Sequence, residues 1–195
     1  MIPAGRCPFR ASERSFDERD GKNGNQHPLR HYRQQRNVGS DGRSVAFDSN
    51  ADLDGDPARS QDVFVHDRQT GTTTRVSVDS NGIQGNSYSG SIGWSSISAD
   101  GRYVVFSSYA SNLVPNDTNG RTDVFVWSRA TGTIERVSIA TGGAEGNGSA
   151  WDPVMSQDGR FVSFTSDSGT LVPNDNNGVW DVFLRDRLAA LWRRK

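Results

Sequence analysis

The sequence predicts an all-β protein, a partial β-propeller of about three four-stranded antiparallel blades. Three observations lead there: a long internal repeat, a turn-rich composition, and short runs of β-branched and aromatic residues. Asp41-Gly42-Arg43 recurs as Asp100-Gly101-Arg102 and as Asp158-Gly159-Arg160, at intervals of 59 and 58 residues. Asp62-Val63-Phe64 returns as Asp123-Val124-Phe125 and Asp181-Val182-Phe183. Arg75-Val76-Ser77 matches Arg136-Val137-Ser138, Thr70-Gly71-Thr72 matches Thr131-Gly132-Thr133, and Gly85-Asn86 matches Gly146-Asn147. Leu-Val-Pro-Asn-Asp stands at both 113–117 and 171–175. Matches kept in one order at a fixed period are the signature of a repeat architecture.

Composition supports short strands joined by many turns. Hydrophobic residues make up 33% of the 195 positions and glycine supplies 21. Gly, Asn, Asp and Ser favour turns, each for its own stereochemical reason. Cys7 stands alone, which rules out an intrachain disulfide. No apolar run approaches the ~20 residues that a membrane-spanning helix requires. The first thirty residues lack the apolar stretch of a secretory leader, so the chain reads as cytoplasmic or as missing its true start. Charge is unevenly spread. Residues 1–37 hold eight Lys/Arg against four Asp/Glu, residues 38–184 nine against eighteen, and residues 185–195 five against one. An acidic body between basic ends is a poor nucleic-acid binder and a good cation binder.

The elements follow in order. Residues 1–37 show no strand alternation and read as an irregular, basic segment. The copies occupy about 38–98, 99–156 and 157–187, and 188–195 form a basic tail. In the second copy a first strand lies around Ser95–Ser98, Ala99-Asp100-Gly101 is a hairpin turn, and Arg102–Ser108 is a second strand of β-branched and aromatic residues. A long polar loop spans Tyr109 to Thr122. Asp123–Ser128 is the third strand, Ala130-Thr131-Gly132 a turn, and Thr133–Ile139 the fourth. Along the third strand Val124 and Val126 point one way, Phe125 and Trp127 the other. His66 and Arg185 occupy the position of Trp127 in the other copies, which places Trp127 at the surface. The first copy shows no clear innermost strand, and the third stops after its third strand at Leu188.

Four antiparallel strands at a fixed period are the mark of propeller blades, and three blades do not close a ring of the usual four to eight. The repeat text Ser-x-Asp-Gly-Arg-x-Val-x-Phe, then Asn-Gly-x-x-Asp-Val-Phe-Val, then Thr-Gly-x-x-x-Arg-Val-Ser stands here at 98–106, 119–126 and 131–138. It resembles the TolB-like (WD40-like) propeller repeats of bacterial extracytoplasmic proteins, over roughly residues 38–187. The resemblance implies a periplasmic or secreted location and a propeller used as a binding scaffold, an assembly platform or an enzyme. Three blades, too few to close a ring, suggest either a truncated reading frame or a half-ring closed by a second copy, which would cover exposed strand edges.

Chemistry concentrates at one end of the blades. The Asp-Gly and Thr-Gly turns share one face, and the long loops share the other. Asp117, Asn119 and Asp123, and in the next copy Asp175, Asn177 and Asp181, have the oxygen-rich spacing that a hard cation such as Ca²⁺ takes. The first copy offers Asp52, Asp54 and Asp56 with Asp62 at the strand start, carboxylates that repel one another unless a cation or solvent intervenes. The plainer alternative is that these residues make Asx-turns. His66 is the one histidine within the repeats and the candidate base of a Ca²⁺-dependent ester or lactone hydrolase, by architectural analogy with paraoxonase-like lactonases. No nucleophile elbow, phosphate loop, zinc spacing or dinucleotide fingerprint is present. Trp94, Trp151 and Trp180, near loop ends, are either blade packing or a sugar- or lactone-binding surface. Two readings follow: a calcium-stabilised module binding a protein, glycan or small molecule on its long-loop face, or a Ca²⁺-dependent hydrolase.

Overall fold

The computed structural model describes residues 37–51, 53, 60–90 and 95–188, together with the backbone of 192–194. These residues form three four-stranded antiparallel sheets, each a meander in which every strand pairs with the next in sequence. The first holds β1 (Asn37–Val38), β2 (Ser44–Ser49), β3 (Asp62–Asp67) and β4 (Thr72–Arg75). The second holds β5 (Ser96–Ile97), β6 (Tyr103–Ser108), β7 (Asp123–Ser128) and β8 (Ile134–Arg136). The third holds β9 (Ala150–Met155), β10 (Phe161–Ser166), β11 (Asp181–Asp186) and β12 (Trp192–Arg194). The expected segment 1–37 lies outside the described residues except for Asn37.

Turn chemistry sets the register. Gly42, Gly101 and Gly159 take φ of 67°, 68° and 73° in the three Asp-Gly turns, a conformation costly to any residue with a Cβ. These turns close the β1–β2, β5–β6 and β9–β10 hairpins; across the next strand pair, joined by the long loop, Phe47 stands opposite Phe64, Phe106 opposite Phe125, and Phe164 opposite Phe183. The paired rings lie 5.8, 6.1 and 5.8 Å apart. Cross-strand aromatic pairs of this kind hold a sheet in register.

The sheets stack face on face as blades. The valine face of the first (Val63, Val65, Val76) packs on Val104, Phe106, Phe125 and Trp127 of the second. The valine face of the second (Val105, Val124, Val126, Val137) packs in turn on Val162, Phe164 and Phe183 of the third. Each fully buried valine or phenylalanine contributes roughly 1.5–3 kcal/mol relative to exposure. Main-chain bonds stitch the same interfaces: Ser40 donates to Ala99 and Ala99 to Gln157, each at 2.8 Å, while Ser89 donates to Gln61 at 2.8 Å and Ala150 to Thr122 at 2.7 Å.

The recurring Gly-Asn dipeptide is a latch between blades. Asn86 donates its backbone N–H to Asn112 Oδ1 at 2.8 Å and its amide to Ser111 Oγ at 3.0 Å, and its Oδ1 accepts from Ser111 N–H at 2.9 Å. A Cβ on Gly85 would stand 3.1 Å from that of Ala110, so the close approach favours glycine. Asn147 repeats the arrangement on Ser168 and Thr170 of the third blade.

Three expectations need correction. Trp127 is buried, at 6% exposure, because the second blade is covered on both faces and has no solvent side for alternation to report. The first copy does have a first strand: β1 pairs with β2, and the Asn37 amide donates to the Ser95 carbonyl of the next blade. The third sheet continues beyond Leu188, since β12 pairs with β11 through Leu184 opposite Arg193. Two- and three-residue strands are too short for any periodicity to announce them.

Candidate functional site

The aspartate that opens each third strand is the centre of a cross-strand lock. Asp62, 2% exposed, accepts from Ser77 Oγ on one oxygen and from the Gln84 amide on the other, both at 2.6 Å. Arg75 Nε lies 3.7 Å away. Asp123, 1% exposed, accepts from Ser138 Oγ at 2.5 Å, the Asn119 amide at 3.1 Å and Arg136 Nη1 at 3.2 Å. The serine hydroxyls work twice, donating to the aspartate while accepting from the N–H of Val63 at 3.2 Å or Val124 at 3.0 Å. Asp-Val-Phe and Arg-Val-Ser are therefore two halves of one device: a buried carboxylate needs its charge and lone pairs met, and the fourth strand meets them. In the third copy Asp181 is half-buried and accepts from the Asn177 amide at 2.7 Å.

In the second blade the lock widens into a cage. Arg136 Nη1 lies 3.3 Å from Asp117, 3.2 Å from Asp123 and 2.6 Å from Glu145. Carboxylate oxygens of these three acids lie within 4.8 Å of one another. Burial, reinforced by the charge of Asp123, pushes the Asp117 pKa up to about 6. Burial raises that of Asp123 as well. Burial also works against ionisation of Glu145, but the Thr118 N–H and hydroxyl, each at 2.8 Å, and Arg136 outweigh it and bring its pKa down to about 2.

The sequence-predicted residues divide accordingly. Asp52, Asp54 and Asp56 lie outside the described residues. Asp117 and Asp123 come together around Arg136. Asn119 and Asn177 accept the N–H two residues on, from Arg121 at 2.7 Å and Val179 at 3.1 Å, and point their amides at Asp123 and Asp181. That is Asx-turn geometry. Asp175 is buried at 8% exposure. His66 bonds Thr73 Oγ1 at 3.0 Å across β3 and β4, four residues along the extended strand from Asp62. At ~3.3 Å per residue that is about 13 Å, so the histidine and this carboxylate occupy opposite ends of the blade. Glu145 was missed. Its signal was its place directly before Gly146-Asn147, where the first copy has Gln84 before Gly85-Asn86.

A second feature lies at the long-loop end. Tyr88 and Tyr109, 56% and 46% exposed, extend the Ser89–Ser108 bridge, with Tyr109 N–H donating to Tyr88 O at 2.9 Å. Trp151, at the start of β9, meets Tyr109 edge-on, with ring centroids 5.2 Å apart and planes at 74°. Beside it Asp152 adopts φ of 54°, a left-handed conformation inside a strand where the β9–β10 register slips. Trp180 is 54% exposed on the third blade, and Trp94 lies outside the described residues.

The repeat text now has its structural meaning: Ser-x-Asp-Gly-Arg turns into the second strand, Asn-Gly-x-x-Asp-Val-Phe caps and forms the third, and Arg-Val-Ser locks it. The fold is a partial propeller of three stacked four-stranded antiparallel blades. No known family and no curated protein matches the sequence. Among solved structures the chain is similar to TolB from Acinetobacter baumannii, at 19% identity and a TM-score of 0.49, covering 82% of this chain and 31% of that one. It is also similar to an oligogalacturonate lyase from Vibrio parahaemolyticus, at 11% identity and a TM-score of 0.47 over 83% and 38% of the two chains. The propeller domain of the trilobed protease from Pyrococcus furiosus gives 12% identity and a TM-score of 0.49 over 83% and 42%. The chain thus spans less than half the length of each of these proteins. The likeness is one of fold.

The lock makes two predictions. Asp62→Ala and Asp123→Ala each strand a buried arginine and serine, and should destabilise the chain by about 3 kcal/mol in urea unfolding. Asp181→Ala, at a half-exposed site, should cost under about 1 kcal/mol. Equal effects at all three positions would refute the lock. The second prediction concerns pH. Asp117 keeps its proton in the folded chain up to about pH 6, whereas an unfolded aspartate loses it near 3.9. Between those values the folded state binds more protons, so this group's contribution to stability falls as pH rises through the window. Glu145 runs the other way: its contribution is present above about 4.5 and is lost as pH falls towards 2. Thermal melts of Asp117→Asn in calcium-free buffer should lose the decline between pH 4 and 6 that the parent shows.

Proposed function

We propose that this chain is a non-catalytic propeller module of the bacterial envelope or secreted fraction, which binds a protein or glycan on its long-loop face. The observation that carries this reading is the aromatic group on that face, the exposed Tyr88 and Tyr109 with the half-buried Trp151. Tyr and Trp offer large rigid faces with polar tips, suited to sugar rings and to protein anchors alike. The neighbouring Asp152 and Asp167 give the rim hydrogen-bond acceptors. The placement of His66 favours binding over hydrolysis, since a general base must stand within hydrogen-bond reach of its partners and His66 bonds Thr73 at the other end of the blade. The envelope or secreted location rests on the resemblance of the repeat text alone.

Calcium belongs to this proposal at Asp117, Asp123 and Glu145. Three carboxylates face one guanidinium there, and the excess negative charge suits a hard divalent cation completing its shell with water. Arg136 Nη1 already stands among the same oxygens, so an ion would enter by displacing it.

Two measurements test the proposal. Tryptophan fluorescence titrations with envelope oligosaccharides and with extended peptides should show saturable binding of one class. Tyr109→Ala and Trp151→Ala should weaken that binding about tenfold or more without lowering Tm. If neither class binds saturably, the surface reading fails. Thermal unfolding at pH 7.5 should show Tm rising with Ca²⁺ and falling back with EDTA, by linkage. The response should vanish in Asp117→Asn/Glu145→Gln. A Tm indifferent to Ca²⁺ would leave Arg136 as the sole counter-ion of the cage.

A further inference from the structure

The two blade interfaces differ at their short-turn end, opposite the long loops. Ser128 closes β7 there, at the other end of the strand from Asp123, and at ~3.3 Å per residue the two stand about 16 Å apart. Between the first and second blades this end is filled. Trp127, 6% exposed, packs from the second blade into the cluster that holds Val65. Asp67 closes the edge, pairing with Arg43 at 2.8 Å and with Arg129 of the second blade at 3.5 Å.

Between the second and third blades each of these parts is exchanged. By strand register Arg185 takes the place of Trp127, Ser128 that of Asp67, Tyr103 that of Ser44 and Glu135 that of Thr74. No indole fills the gap, and a cavity of about 260 Å³ stands open, lined by Tyr103, Val126, Ser128, Thr133, Glu135 and Arg187 among others. Arg187 forms its third-blade wall and is 13% exposed. Its Nε donates to Glu135 Oε1 at 2.7 Å, its Nη1 donates to the Gly159 carbonyl, and its guanidinium carbon lies 4.2 Å from the centre of the Tyr103 ring. Gly159 permits that stack, since a Cβ there would run into the tyrosine.

The fixed guanidinium leaves hydrogen-bonding capacity in the cavity. Arg187 Nη2 and Glu135 Oε2 have no partner among the described residues. One donates only and the other accepts only, whereas the hydroxyls of Ser128, Thr131 and Thr133 do either. Thr131 and Thr133 share a single bond at 2.6 Å, so one hydroxyl proton of the two is still to be given. The lining carries one cation and one anion, already paired, over the apolar Val126. Donors and acceptors in alternation without net charge suit a neutral ligand dense in hydroxyl groups. The volume falls just below the ~300 Å³ at which pockets for drug-sized ligands begin, which is the scale of one sugar ring.

We infer that this inter-blade cavity binds a neutral pyranose, taken singly or as the end residue of a glycan. Glu135 Oε2 accepts from the ring hydroxyls, Arg187 Nη2 donates to them, and Ser128 and Thr133 complete the set. Both walls belong to the second and third blades, so the site needs no other blade and no second copy. It lies at the opposite end of the blades from Tyr88, Tyr109 and Trp151 and is independent of the surface proposed above.

The test is an amide NMR titration of the full chain with the methyl glycosides of glucose, galactose, mannose and N-acetylglucosamine. At least one should bind with a Kd of about 1 mM, the affinity scale of so small a ligand. It should move the signals of Ser128, Thr133, Glu135 and Arg187 and leave those of Tyr109 and Trp151 in place. Glu135→Ala should weaken binding about tenfold or more by removing a charged acceptor. Thr133→Tyr, which blocks the cavity from an exposed position, should abolish it with Tm unchanged. Tyr109→Ala should bind as the parent does. The inference is overturned if no glycoside moves the cavity signals, or if binding survives both Glu135→Ala and Thr133→Tyr. Shifts confined to Tyr88, Tyr109 and Trp151 would also overturn it, while supporting the long-loop surface.

Discussion

A four-stranded sheet has two faces, and neither can be buried from within. This constraint organises the whole chain. Each blade is apolar on both sides, with valines on one and paired phenylalanines on the other, so each must lie between neighbours. The second blade shows the satisfied state: β7 is buried along nearly its full length. Its counterpart β11 shows the unsatisfied one, with Val182 in the open. Turns, latches and locks all serve to present these faces at the spacing stacking requires.

The buried aspartate at the head of the third strand is the polar complement to that rule. The long loop returns the chain to the blade at this point, where backbone and side-chain groups lose access to water. A carboxylate there can gather donors from three directions: a serine and an arginine on the fourth strand, and an amide from the loop or the connection. In the first blade Gln84 completes the set, so one acid faces one base. In the second, Glu145 and Asp117 add two acids around a single arginine, and below about pH 6 the protonation of Asp117 absorbs part of the imbalance. The same scaffold thus holds a balanced and an over-charged version of one site.

The repeat, the strand order and the long-loop face were legible because they depend on turn dipeptides and on text that recurs. Asp100-Gly101 can only be a turn of one kind, and Phe106 and Phe125 recur with it. Trp127 was not legible, because a single residue carries no sign of whether a second blade covers it. The site was half legible. Asp117 and Asp123 stood out as oxygen donors, but the part played by Arg136 and Ser138 was hidden in a motif that reads as ordinary strand. Glu145 sits beyond that motif, and only its alignment with Gln84 connects it to Asp123. Tyr88, Tyr109 and Trp151 lie in three different segments, and nothing in sequence brings them into one patch.

The Gly-Asn latch has a bearing on how the chain assembles. Every blade interface is built from the same pair of faces, so face chemistry alone does not distinguish the first blade's neighbour from the third. Order is supplied by tethering: the connection from β4 to β5 is fastened midway, at Asn86, to Ser111 and Asn112 at the root of the next long loop. A blade leaving the ribosome therefore meets its proper neighbour first, because the tether keeps that neighbour at high local concentration. Lengthening the tether would loosen that preference and let blades of different chains exchange places, the route by which repeat proteins become entangled.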